Sequence, residues 1–131
     1  MGLAISVAAA AWAHEAHKPK AATPEAKAPA AEGKAEMQTL QGELVDMNCY
    51  MAHEGKGEKH KKCADACISE GAPMGLLTQD GMVYLLLADH TLKEPYESLK
   101  EKAAEQVGVK GEIHQRGGVQ ALLVKGLETA K

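Results

Sequence analysis

The chain has 131 residues, a formal net charge of −3 and only 3% aromatic residues. A slightly acidic chain with so few aromatic side chains lacks the basic, stacking surface that nucleic-acid binding needs, so no nucleic-acid partner is expected. The first third of the chain differs in composition from the rest. What remains, about 94 residues, is long enough for one domain with one modest hydrophobic core.

Residues 1–13, MGLAISVAAAAWA, are apolar and uncharged, and they are too short to cross a bilayer as a helix. They end in Ala11-Trp12-Ala13, a small-residue pattern that suits signal peptidase. We therefore predict a signal peptide and a periplasmic or secreted protein. No cysteine lies near the cleavage site, so no stable membrane anchor is expected after cleavage.

Residues 14–37 are rich in alanine, proline, lysine and glutamate and contain no aromatic side chain. Such a segment buries too little apolar surface to offset the entropy cost of ordering its backbone. Its four lysines and four glutamates cancel, so it is not a basic arm for nucleic acid or lipid. We predict a disordered tether.

Residues 38–131 are predicted to form one domain made mainly of β-strands. Apolar and polar residues alternate over 39–46, as they do in a strand with one buried face. Two apolar runs, 71–78 and 82–88, are separated by Gln79-Asp80-Gly81. Asp-Gly between two such runs is a strong hairpin signal.

A helix and a second hairpin follow these strands. Apolar residues at intervals of three and four predict a helix over 94–105. The last two predicted strands, 106–114 and 119–127, flank the turn Arg116-Gly117-Gly118. Five strands with a helix between the third and fourth match the order of an OB-like barrel, with a Cys-bearing helix inserted between strands 1 and 2. Closing the sheet also removes free edges from so small a domain.

Three segments carry a resemblance to a known family: GELVDMNCY, GAPMGLLTQDGMVYLLL and QVGVKGEIHQRGGVQALLVKGL. In these segments the chain resembles small exported bacterial proteins with an OB-like barrel, described as BOF or tRNA-anti-like domains. The resemblance covers residues 40–127 and implies the barrel fold. It implies no particular activity, because OB barrels host many functions.

All three cysteines and two of the six histidines lie in one stretch, CYMAHEGKGEKHKKCADAC. The stretch lies between the first two predicted strands, where OB-type barrels place a loop of the binding rim. We expect Cys49 to end the first strand and His53 to follow it in the loop. Both side chains would then lie at the rim of the barrel.

The second half of this stretch, residues 58–69, has helical spacing. On one α-helix, His60, Cys63 and Cys67 would lie within an arc of about 60° on one face. Folding this helix back onto the barrel would bring Cys49 opposite the other two cysteines. The sequence therefore predicts that the chemically reactive side chains converge.

A metal site is the first interpretation of this convergence. Three thiolates and one imidazole match the Cys₃His set of zinc, and soft sulfur ligands also suit Cu(I). The spacing C-x13-C-x3-C lacks the C-x2-C of common zinc sites. The predicted ligands of the copper or zinc ion are Cys49, Cys63, Cys67 and one histidine, with His60 the first choice and His53 the second.

Two alternatives remain open from the sequence. A disulfide from Cys49 to Cys63 or Cys67 would stabilise the domain by roughly 3 kcal/mol and leave one thiol over. The protein would then be an OB-like adaptor that binds a protein or another ligand of the cell envelope. A redox thiol is the other alternative, because Lys59, Lys61 and Lys62 beside Cys63 would lower a thiol pKa. No general acid–base or nucleophile–base pair is evident, so the sequence predicts a binding protein rather than an enzyme.

Overall fold

The structure is a computed structural model that describes residues 37–129. The signal peptide predicted for residues 1–13 lies outside the described residues, and so does the tether predicted for 14–37, apart from Met37. Within residues 37–129, every helix is too short or too polar to span a membrane.

The described residues form five strands, three α-helices and one 3-10 turn. The strands are β1 (Met37–Asp46), β2 (Met74–Thr78), β3 (Val83–Ala88), β4 (Gln106–Arg116) and β5 (Val119–Glu128). The α-helices are α1 (Met47–His53), α2 (Lys61–Ser69) and α3 (Glu94–Leu99), and the 3-10 turn is Glu58–His60. The prediction of a mainly β domain with five strands is confirmed.

The five strands close into a barrel in the order β1-β2-β3-β5-β4. Strands β3 and β5 run parallel, and the other four pairs are antiparallel. The first half of β1 pairs with β4 and its second half with β2, so Gly42 has a partner on both sides. A Cβ atom at Gly42 would lie 2.5 Å from the carbonyl oxygen of Leu77, so only glycine allows this close approach.

Aliphatic side chains fill the interior of the barrel. Leu44 of β1, Leu76 of β2 and Leu122 of β5 are fully buried in one cluster. Ile68 of α2 and Leu99 of α3 join the same cluster. Burial of one such side chain contributes about 1.5–3 kcal/mol, so these two residues hold their helices against the barrel.

Helix α1 occupies the position where the sequence predicted a strand end and a loop. The Asp46 carboxylate accepts hydrogen bonds from the backbone N–H groups of Asn48 at 3.0 Å and Cys49 at 3.3 Å. This is the N-cap arrangement that begins a helix. Glu54 ends the helix in a left-handed conformation, with φ of 54°. The expected loop position of His53 is therefore wrong, because Cys49 and His53 both lie on α1.

Helix α3 ends at Leu99, six residues before the predicted end. The chain that follows pairs with β1 instead of continuing the helix. The Ala104 N–H donates to the Leu44 carbonyl at 2.8 Å, and the Leu44 N–H donates to the Glu105 carbonyl at 2.9 Å. These contacts with the barrel override the helical propensity of the segment, which is high because alanine, lysine and glutamate are all good helix formers.

An ion pair between a buried carboxylate and a half-buried ammonium group fastens the chain after β3 to β5. The Asp89 carboxylate, 6% exposed, accepts a hydrogen bond from the Lys125 ammonium. It also accepts from the N–H and the hydroxyl of Thr91, each at 2.6 Å. The Lys125 contact first, and then the Thr91 contacts, hold the pKa of Asp89 well below its usual range.

We predict that Asp89→Asn lowers the melting temperature at pH 7 and has a smaller effect at about pH 2. Because the Asp89 pKa is lower in the folded state, its stabilisation is complete above the unfolded value of about 3.9 and is lost as the pH falls toward the folded value. Thermal melts of both proteins across this range measure the effect, with the exposed Glu101→Gln as the control. The same pH dependence in wild type and Asp89→Asn would contradict this assignment.

Candidate metal centre

Thiol and imidazole groups from α1, the 3-10 turn and α2 converge where β1 ends. Cys49 lies on α1 and is 9% exposed. Cys63 and Cys67 lie one turn apart on α2, where Cys63 is exposed and Cys67 half-buried. The centre is therefore embedded on the Cys49 side and open to solvent on the Cys63 side.

The three thiols form one compact group. The sulfur atoms of Cys49, Cys63 and Cys67 all lie within 4.8 Å of one another, and the Cys49 and Cys63 sulfurs are 3.7 Å apart. All three cysteines are free. The disulfide of the adaptor hypothesis is therefore not present in the structure.

The two histidines of the stretch form a second group. The Nε2 atoms of His53 and His60 are 3.3 Å apart, and their rings are tilted by 57° with centroids 5.0 Å apart. One ring nitrogen of each histidine lies within 4.8 Å of the Cys49 sulfur. His60 ends the 3-10 turn rather than lying on α2 with Cys63, so its ring is directed to His53 and Cys49.

A tight reversal of the chain after α1 makes this convergence possible. The Gly55 N–H donates to the Cys49 carbonyl at 3.1 Å and closes the end of the helix. A Cβ atom at Gly55 would lie 2.6 Å from His60 Nε2 and 3.0 Å from the Cys49 Cβ. Glycine at this position therefore lets the His60 ring pack against α1.

Polar contacts with the barrel hold the 3-10 turn and α2 in place. The Gly57 N–H, just before the turn, donates to the Glu43 carboxylate of β1. The Lys61 ammonium, at the start of α2, donates to the Ala103 carbonyl at 2.9 Å and lies 3.4 Å from the Glu105 carboxylate. These contacts fix the segment that presents His60 and Cys63.

The surroundings favour the protonated thiol at two of the three cysteines. A hydrogen bond to the Asp46 carboxylate, followed by burial, raises the pKa of Cys49 to about 12. Burial, followed by the nearby Cys63, raises the pKa of Cys67. Burial acts to raise the pKa of Asp46 itself. The hydrogen bonds that its carboxylate accepts, the largest effect among them being that of the Cys49 thiol, outweigh burial and lower the pKa overall.

The redox-thiol hypothesis named Cys63, and these shifts concern the other two cysteines, neither of which lies in surroundings that favour a nucleophilic thiolate. A nucleophilic cysteine needs a lowered pKa, and both of these values are raised. Lys61, one of the lysines on which that hypothesis depended, is occupied by Ala103 and Glu105. A bound cation would reverse the preference, because a metal ion displaces the thiol proton.

The structure brings all five predicted ligands together, as two groups of three that share Cys49. Sequence reasoning missed two supporting residues, Asp46 and Gly55. Both carry recognisable signals, since aspartate is a preferred helix N-cap and glycine commonly follows a helix end. They indicate a helix over the residues that were predicted to form a loop.

Fold and site together define a small closed β-barrel with a cluster of thiol and imidazole groups at metal-binding distances. Comparison with known proteins found no matching family model, no matching curated protein and no matching solved structure. The function is therefore inferred from the chemistry of the cluster.

Proposed function

We propose that the protein binds a soft transition-metal ion, copper or zinc, through Cys49, Cys63 and Cys67, with a histidine, His60 or His53, as a further ligand. The observation that carries this proposal is the packing of three free thiols within 4.8 Å of one another. Two thiolates that bind one tetrahedral ion at 2.3 Å lie about 3.8 Å apart. The Cys49–Cys63 distance of 3.7 Å matches this spacing, so this pair needs little rearrangement to bind an ion.

The donor set favours soft ions over hard ones. Thiolate and imidazole ligands suit Cu(I) and zinc, whereas magnesium and calcium require oxygen ligands. Copper would imply handling or delivery of the ion, and zinc would imply a folded binding module. The side chains of Cys63 and His53 are exposed, so another protein of the cell envelope can reach the ion directly. If the ion is copper, its handling or delivery would involve such a protein partner.

We further propose that the barrel is OB-like, of the BOF or tRNA-anti-like type, and that the protein acts outside the cytoplasm. The strand order β1-β2-β3-β5-β4 and the parallel pairing of β3 with β5 support the first point. The apolar segment 1–13 and its Ala11-Trp12-Ala13 ending support the second. In an oxidising compartment, a bound metal would protect three adjacent thiols from oxidation.

Native mass spectrometry of the protein isolated from the periplasm, combined with alkylation under non-reducing conditions, tests the proposal. We expect a mass that includes copper or zinc, with the three thiols alkylated only after chelation. A metal-free protein with one alkylated cysteine, and a mass two protons lower, would contradict it and favour the disulfide-linked adaptor.

We predict that Cys67→Ser lowers the affinity for the ion by at least about 100-fold. Loss of a residue that merely orients a ligand already costs about 10–100-fold in metal affinity, and Cys67 is itself a proposed ligand. Competition with a chromophoric chelator measures the change. Ser69→Ala, an exposed position on the same helix, is the matched control and should keep wild-type affinity. Unchanged affinity in Cys67→Ser would remove this residue from the site.

A further inference from the structure

The Cys49 sulfur belongs to two separate sets of donors. One set contains the sulfurs of Cys63 and Cys67, and the other contains the imidazole nitrogens of His53 and His60. Within residues 37–129, no larger set joins the two pairs at the same spacing. One ion at its normal bond lengths therefore cannot contact all five donors without rearrangement of side chains.

The spacing inside each set suits its own ion. Two imidazole nitrogens that bind one tetrahedral ion at 2.0–2.1 Å lie about 3.3–3.4 Å apart. The His53 and His60 Nε2 atoms are 3.3 Å apart, and the Cys49 and Cys63 sulfurs are 3.7 Å apart. Each distance is close to the spacing of two donor atoms that bind the same ion. Cys49 belongs to both sets.

Charge also favours a second cation. The Asp46 carboxylate is 1% exposed and accepts a hydrogen bond from the Cys49 N–H. Three thiolates beside this carboxylate amount to four negative charges in a half-buried site. One monovalent ion leaves a net charge of about −3 and two leave about −2, and burying less net charge costs less free energy.

We propose that the centre holds two soft ions bridged by the Cys49 thiolate, one with Cys63 and Cys67 and the other with His53 and His60. The inference rests on the proposed function, because the first ion is the one assigned there to the three thiolates, and it differs in giving both histidines to the second ion. Each thiol releases its proton to solvent as its sulfur–metal bond forms, and no electron is transferred. Cu(I) is the best-suited ion, since both sets contain soft thiolate and each offers three donors, whereas closed zinc sites take four.

The two positions have the same pattern of access. Each contains Cys49, one exposed residue, Cys63 or His53, and one half-buried residue, Cys67 or His60. A partner can therefore reach either ion from solvent.

Anaerobic titration of the reduced full chain with Cu(I), followed by native mass spectrometry, tests the inference. We expect two ions per chain in wild type and one in His53→Ala and in His60→Ala. The matched control is His90→Ala, an exposed histidine outside the site, which should keep two. One ion in wild type at excess Cu(I), or two in both histidine variants, would overturn the second site alone. No bound ion in wild type would overturn the copper version of the proposed function as well.

Gly55→Ala tests the same inference without removing a ligand. The added Cβ would lie 2.6 Å from His60 Nε2, so the ring must leave the position in which it meets His53 and Cys49. We expect this variant to bind one Cu(I) and to remain folded. The control is Gly126→Ala, whose Cβ would make only an ordinary contact of 3.9 Å, and which should bind two. Two ions in Gly55→Ala would contradict the assignment of His60.

Discussion

Cys49→Ser is expected to weaken Cu(I) binding at both positions, a larger total loss than any other single substitution at the centre produces. Cys49 is the only residue common to the two donor groups of the described chain. A serine hydroxyl stays protonated near neutral pH and is a hard oxygen donor, so it replaces neither sulfur–metal bond. Cys67→Ser and His60→Ala should each weaken only one of the two positions.

Native mass spectrometry of the Cu(I)-titrated Cys49→Ser variant gives the result directly. The fold should survive, because serine differs from cysteine by one atom and Cys49 lies at the barrel end rather than in the aliphatic core cluster. Circular dichroism of the metal-free variant checks this, and Ser69→Ala again serves as the control. Retention of one ion with wild-type affinity would show that Cys49 is not shared between the two groups.

Ile68→Ala is expected to lower the free energy of unfolding of the metal-free protein by about 2–5 kcal/mol. Ile68 is 1% exposed and is the large side chain by which α2 enters the barrel core, beside Leu44 and Leu76. Truncation removes the buried methyl and methylene groups and leaves a cavity between the helix and the barrel. Since α2 also carries Cys63 and Cys67, a looser helix should weaken Cu(I) binding as well.

Urea unfolding of wild type and Ile68→Ala measures the first effect. Val119→Ala removes apolar atoms from a residue that is 53% exposed and should change stability by no more than about 0.5 kcal/mol. A loss below about 1 kcal/mol in Ile68→Ala would show that α2 contributes little to the stability of the barrel. The polar contacts of Lys61 would then be its main attachment.

The strands could be predicted because their signals are local. Alternation places Leu44 and Val109 inward with period two, and the turns at Asp80-Gly81 and Gly117-Gly118 need glycine for their positive φ angles. The predicted bounds agree with β2 to β5 to within three residues. The closure of the barrel follows from the number and order of these strands.

The helices depended on contacts that are distant in sequence, and there the predictions were weaker. Helix α3 is shorter than predicted because Ala104 and Glu105 pair with Leu44, about 60 residues earlier in the chain. Helix α1 was missed although Asp46 and Gly55 mark its two ends. Strand β1 leads directly into α1, with no turn residues between them. The sequence therefore had no turn signal that pointed to Asp46 as the N-cap of a helix.

The sequence predicted which residues form the candidate site but not how they are grouped in space. Cys63 and Cys67 are four residues apart on α2, and this local spacing places their side chains close together. The pairing of His53 with His60 depends on the reversal at Glu54 and Gly55, for which the sequence pattern predicts only a loop. The sequence therefore predicted one Cys₃His set, whereas the structure shows two groups that meet at Cys49.

Copper K-edge X-ray absorption of the Cu(I)-loaded full chain tests the central claim, metal binding by this thiol and imidazole cluster, most directly. We predict a shell of sulfur scatterers together with the multiple-scattering pattern of imidazole, and loss of the imidazole pattern in the double variant His53→Ala, His60→Ala. A spectrum that contains only light oxygen or nitrogen scatterers would contradict metal binding by the three cysteines.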